Sequence, residues 1–182
     1  MTLHDQIVEA QDYATDPPQN ESNTCDWIIL PILRSLGYAP RDIESCIADS
    51  TGAYPDYTIL SNHTAATFYL EAKAWNVALL ENHVKQSLNY ANHNGKRFVV
   101  LTNGQDWQLY DNAVQGQLAE KRVDRARLQD SSPITDFLTA LSKPMVLEGS
   151  LERMAAEAQE RRVQQARKQQ ARQQQEEEKQ AI

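Results

Sequence analysis

Cysteine is nearly missing from this 182-residue chain: there are two, Cys25 and Cys46, and they form neither a CxxC pair nor a zinc-type spacing. That excludes a disulfide framework and a cysteine metal centre, and it predicts buried free thiols in a reducing compartment. Long apolar runs are missing as well. None approaches the roughly 18–20 residues that a membrane-spanning helix needs. The N-terminus, Met1-Thr2-Leu3-His4-Asp5, has neither a basic start nor an apolar core segment, so the expected location is the cytoplasm, without membrane contact. No GxxxxGK[ST] phosphate loop occurs, which removes ATP-driven motor chemistry. Excess positive charge is absent too. The net charge is −7; from Leu151 onward there are seven basic and six acidic residues, so the chain before it carries −8. Binding to a phosphate backbone must then come from a local patch or a metal ion rather than from bulk charge.

What is present reads as mixed α/β. Weak helical spacing covers 3–14. A firmer pattern of Trp27, Ile28, Pro31, Ile32 and Leu36 predicts a helix that ends at Gly37, with Pro31 kinking it or breaking its hydrogen bonding. Residues 39–55 are punctuated by Pro40, Gly52 and Pro55, with Ile43 and Ile47 as packing points. Strands are predicted over 55–60 and 66–73, joined as a hairpin through Asn62-His63. Asn76 is the expected cap of a helix over 77–92, with Leu80, Val84 and Leu88 on one face. Arg97–Thr102 reads as a buried strand, Asn103-Gly104 as a tight turn, and Trp107–Tyr110 as its partner strand. A further strand is expected over 117–123 and a helix from about Ser132. From Leu151 the chain is rich in Ala, Glu, Gln and Arg with only a thin apolar stripe, which predicts a protruding charged helix. The expected division is a domain over 1–148 and a helical extension over 149–182 that binds partners or pairs with a second copy.

Three ionisable residues carry the chemistry. Alternation along a strand puts Glu71 and Lys73 on one face, with Ala72 opposite. If Asp56 opens the preceding strand, its carboxylate lies beside Glu71. Two adjacent carboxylates repel unless a cation sits between them, and Mg²⁺, with Mn²⁺ as the alternative, takes such oxygen ligands. Lys73 would then orient or deprotonate water and stabilise charge on a phosphate.

Pro55-Asp56, fourteen residues and then Glu71-Ala72-Lys73 resembles the PD-(D/E)xK nuclease signature. Three further segments narrow the likeness. NESNTCDWIILPILRSLGY (20–38) resembles the opening helix of the N-terminal nuclease domain of type I restriction enzyme R subunits. QSLNYA (86–91) is similar to the QxxxY element of that group, and VVLTNGQDWQLYD (99–111) to its strand–turn–strand. The resemblance implies a restriction-endonuclease-like core with a central mixed sheet flanked by helices, and a Mg²⁺-dependent deoxyribonuclease, expected to be an endonuclease. It implies Asp56 and Glu71 as metal ligands, Lys73 as the catalytic lysine, Glu21 as an additional acid at the metal, and Gln86 and Tyr90 lining the site and touching DNA. R subunits carry a helicase motor after the nuclease and this chain shows none, so a helicase or methyltransferase partner is a further expectation.

Plainer readings stand beside these. Taken alone, Glu71 and Lys73 read as a strand-edge ion pair, Glu21 as an acid favouring a helix start, and Gln86 and Tyr90 as a polar helix rim. His63 and His83 read as surface or packing residues. Lys85, Lys96 and Arg97, with Lys121, Arg122, Arg125 and Arg127, are the candidate phosphate contacts before the tail. The alternative function is a non-catalytic DNA-binding or assembly subunit that keeps the nuclease fold.

Overall fold

A computed structural model of the chain describes residues 1–45 and 56–180. The expectations for Cys46, Ile47, Gly52 and Pro55 lie outside those residues. Helix α1 (Leu3–Asp12) is followed by α2 (Glu21–Thr24), a π-helical turn (Cys25–Ile29) and α3 (Leu30–Ser35). The widened turn sits immediately before Pro31: Leu30 N–H reaches back to the carbonyl of Cys25. Proline has no N–H to donate and its ring crowds the carbonyl four residues earlier, so one looser turn accommodates it. The predicted disturbance at Pro31 is this turn.

Among the described residues six strands come next, in sheet order: β1 (Ile43–Ser45), β2 (Tyr57–Ile59), β3 (Phe68–Ala72), β4 (Phe98–Thr102), β5 (Asp106–Asp111) and β6 (Arg122–Arg127). Every neighbouring pair is antiparallel except β3–β4, which is parallel. A parallel pair requires a crossover, supplied by α4 (Glu81–His93). Helices cover both faces. Phe68, Leu70 and Ala72 of β3 join the larger core with Ile28, Ile32, Phe137 and Leu138, whereas Tyr69 packs with Val84, Leu88 and Ala91 of α4. The mixed sheet with flanking helices matches the α/β expectation.

Three expectations need correction. Residues 43–45 form an edge strand that the sequence pattern did not single out. The helix predicted from 77 begins at Glu81, with Leu80 rather than Asn76 as its cap, because His83 Nδ1 accepts the Leu80 N–H at 3.2 Å. The strand predicted over 117–123 begins only at Arg122, as β6; residues 118–121 form a helical turn, α5 (Leu118–Lys121), that leads into it. The Glu120 carboxylate accepts the Gln117 N–H and closes that turn.

Helices α6 (Ser131–Ala140) and α7 (Lys143–Leu147) lead to α8 (Ser150–Gln180). Leu151, Ala155 and Ala158 of α8 belong to the larger core, while Val163 and most of the helix beyond it are exposed. Among the described residues no helix is long and apolar enough to cross a membrane.

One contact ties the N-terminal helices to the end of β3. Thr24 is fully buried, and its hydroxyl accepts the Trp75 N–H at 3.0 Å while donating to the Asn20 carbonyl at 2.9 Å. Replacing Thr24 by valine keeps the shape but leaves the Trp75 N–H buried without its partner, which costs on the order of 1–3 kcal/mol. The midpoint of a urea melt of Thr24→Val should fall with little change in slope.

Candidate active site

Glu71 is the penultimate residue of β3, and 7% of its surface is accessible. The ladder that pairs Tyr57 with Leu70 brings Asp56, one residue before β2, opposite Glu71. Asp56 Oδ2 accepts the Ala72 N–H at 2.6 Å, and Lys73 N–H donates to the Thr102 carbonyl at 2.8 Å. The end of β3 is therefore held from both sides, and strand alternation directs Glu71 and Lys73 to the α4 face. Lys73 Nζ lies 2.5 Å from Glu71 Oε1.

The electrostatics of this cluster are strained. Burial, reinforced by Asp56 and Glu21, pushes the Glu71 carboxyl up to about 7 despite the Lys73 ammonium beside it. Burial also raises Asp56, against the Ala72 N–H and Lys73, which hold it down. Glu21, on the first turn of α2, is open to solvent at the rim. Shielding by surrounding protein and then the charge of Asp56 raise its pKa. Burial works against the charge of Lys73, but the hydrogen bond to Glu71 and the charges of Glu71, Asp56 and Glu21 outweigh it and keep the ammonium charged. Four of the predicted residues, Glu21, Asp56, Glu71 and Lys73, thus form one coupled group.

The remaining predicted residues are placed differently. Tyr90 sits on α4 with its ring 5.3 Å from that of Tyr69, two residues before Glu71. Gln86 is exposed one turn earlier on the same helix. Lys85 is exposed and 3.9 Å from Glu81. Lys96 and Arg97 precede β4, at the opposite end of that strand from Thr102, which pairs with Ala72. Arg97 forks onto both oxygens of Asp111 at 2.9 Å and lies over the Phe98 ring. His83, which reads from the sequence as a surface or packing residue, accepts the Leu80 N–H at the start of α4, and burial and then the charge of Lys73 hold its imidazole below the usual pKa.

The donor set suits a hard cation. Glu21, Asp56 and Glu71 offer oxygen ligands whose mutual repulsion a cation relieves. Cys25 lies close by, but burial raises its thiol to about 11, so it stays protonated and is no soft competitor. Among the described residues no three such side chains already converge as a ligand cage.

Residues 20–124 match the family model described as type I restriction enzyme R protein N terminus (HSDR_N), more than half of the chain. The chain belongs to this family. The matched span starts at the cap of α2, contains every residue of the coupled group, and ends within β6. Neither a curated protein nor a solved structure gives a significant match. Membership in this family points to a nuclease-related role.

The strain has a measurable sign. A carboxyl whose folded pKa lies above its ordinary value of 4.5 contributes stability below that value and loses it as pH rises toward about 7. Without metal, Glu71→Gln should therefore be more stable than the parent at about pH 8 and show little gain at about pH 5. Thermal melts at both values test this.

Proposed function

We propose that this R-protein-like chain is a Mg²⁺-dependent deoxyribonuclease with a PD-(D/E)xK site on a restriction-endonuclease-like core. The observation that carries this reading is the coupled, half-buried group of Asp56, Glu71 and Lys73 at the end of β3, with Glu21 at its rim. Asp56, Glu71 and Glu21 are the residues that would hold the ion, with Mn²⁺ able to substitute. Bound there, Mg²⁺ supplies Lewis-acid polarisation of a phosphate oxygen. Asp56 already accepts the Ala72 N–H, which fixes its carboxylate before substrate arrives. Lys73, hydrogen-bonded to Glu71, would orient or deprotonate water and stabilise charge on the phosphate. Tyr90 and Gln86, one helical turn apart on α4, line the approach to the strand end.

DNA is the expected partner, with a helicase or methyltransferase subunit supplying the motor or the target recognition that this chain shows no motif for. A second reading, a DNA-binding or assembly subunit that retains the fold without cutting, is favoured by the −8 charge ahead of Leu151 and by the long exposed part of α8.

Supercoiled plasmid incubated with and without Mg²⁺ separates the two. The nuclease reading predicts Mg²⁺-dependent nicking or linearisation, with Lys73→Ala reducing the rate by roughly 10²–10³-fold. Asp56→Ala and Glu71→Gln should reduce it at least as much. Equal rates for parent and Lys73→Ala, or DNA binding with no cleavage by the parent, would overturn it.

A further inference from the structure

The sheet face that carries Glu71 extends beyond it. Register runs from Glu71 to Leu101, Gln108 and Arg125 across β3, β4, β5 and β6, so these four side chains share one face. At about 4.8 Å per strand, Arg125 stands ~14 Å from Glu71. Under the start of α4 this face holds a cavity of about 160 Å³, bounded by Leu79, Val84, Gln108, Tyr110, Arg122 and Arg125, with Glu81 at its rim.

The cavity depends on an irregularity in β6. Gln108 pairs with Arg125 and Tyr110 with Arg122, with a register shift between Leu109 and Tyr110. Residues three apart on a regular strand point to opposite faces. The bulge turns both arginines to the same side.

The polar groups are pre-ordered. Tyr110 Oη donates to Gln108 Oε1 at 2.5 Å, Gln108 Nε2 donates to Asp106 at 3.0 Å, and Arg125 forks onto Asp106 at 2.9 and 2.7 Å. Arg125 is therefore neutralised by Asp106, and Glu81 faces Lys85. Arg122 is exposed, its positive charge lies near enough to Tyr110 to lower the phenol's pKa against burial, and among the described residues it has no carboxylate partner. Its backbone carbonyl accepts a hydrogen bond from Arg162 of α8. From there the surface stays basic: residues 161–172 hold five Lys/Arg and no acid.

We infer that this cavity is a phosphate subsite for the DNA strand held at Glu71 and Lys73, with Arg122 as its anchor; the inference rests on the nuclease reading. A guanidinium presents a fork of donors that matches phosphate oxygens, and the Gln108–Tyr110–Asp106 network fixes the floor beneath it. Arg122 pairs with Tyr110, two residues along from that row, so the anchor stands ~16 Å from Glu71, a span of about five stacked nucleotides at a rise of ~3.4 Å. The subsite gives an acidic protein a local cationic hold on the strand at a fixed distance from the reacting phosphate.

The test is fluorescence anisotropy of a labelled DNA duplex and a single strand with the full chain carrying Asp56→Ala, which prevents cleavage. Binding is measured over a salt series. Adding Arg122→Ala should weaken binding about fivefold or more and lower the slope of log K against log salt by about 1. Arg122→Lys should recover part of the affinity, and Ala119→Glu, which places an acid on α5 beside the cavity, should weaken binding further. Arg34→Ala removes the same charge from the exposed side of α3, which packs on the opposite face of the sheet, and should bind as the Asp56→Ala parent does. Unchanged binding by Arg122→Ala, or equal losses for Arg122→Ala and Arg34→Ala, would overturn the subsite. Site-specific loss of binding with no Mg²⁺-dependent cleavage by the native chain would retain the subsite and reject the nuclease reading.

Discussion

Three stretches of chain far apart in sequence meet at the end of β3, and the meeting depends on the buried hydroxyl of Thr24. It takes the N–H of Trp75, while the Trp75 carbonyl accepts Gln105 Nε2 at 2.8 Å and the Val77 carbonyl accepts Asn103 Nδ2 at 2.8 Å. The turn between β4 and β5 passes so close that a side chain at Gly104, whose φ is +84°, would press within 3.3 Å of Thr24 and 3.4 Å of Trp75. Only glycine suits both that φ and that approach. These bonds hold α2, the loop after β3 and the β4–β5 turn as one body. Glu21 is thereby carried to the rim of a group whose other members come from the sheet.

That rigidity is needed because the group is unfavourable in itself. Three carboxylates and one ammonium share a partly dry site, and burial outweighs the Lys73 charge at Glu71. A scaffold stabilised elsewhere, by the core of Phe68, Leu70, Trp107 and Phe137, tolerates this local penalty. In exchange, the site favours whatever neutralises its negative charge, whether a proton or a divalent cation. Lys73 belongs to the same balance: the hydrogen bond to Glu71 and the charges of Glu71, Asp56 and Glu21 raise its pKa.

Much of this was legible in the sequence. The hairpin over 57–72 announced itself through apolar runs and a turn signal, α4 through Val84 and Leu88, and the coupled acids through the spacing of Asp56 and Glu71. The hidden features depend on tertiary hydrogen bonds. Asn76 looked like a cap, but His83 takes the Leu80 N–H and delays the helix to Glu81. In β6 the apolar residues Val123 and Ala126 are three apart, because a bulge breaks the alternation by which strands are recognised. Arg122 and Arg125 stood out as basic residues, but the same bulge concealed their common face, which no two-residue period shows. Conversely, Arg97 has the look of a phosphate contact in the sequence, but Asp111 occupies its fork.

Burial, with Asp56 and Glu21 beside it, holds the Glu71 carboxyl up to about 7 even though Lys73 lies 2.5 Å away. Carbon-detected NMR titration of the Glu71 carboxyl, with and without Mg²⁺, measures this directly. Without metal the midpoint should lie near about 7, where burial sets it, and it should fall markedly when Mg²⁺ is added. A midpoint near the ordinary 4.5 that Mg²⁺ leaves in place would contradict it.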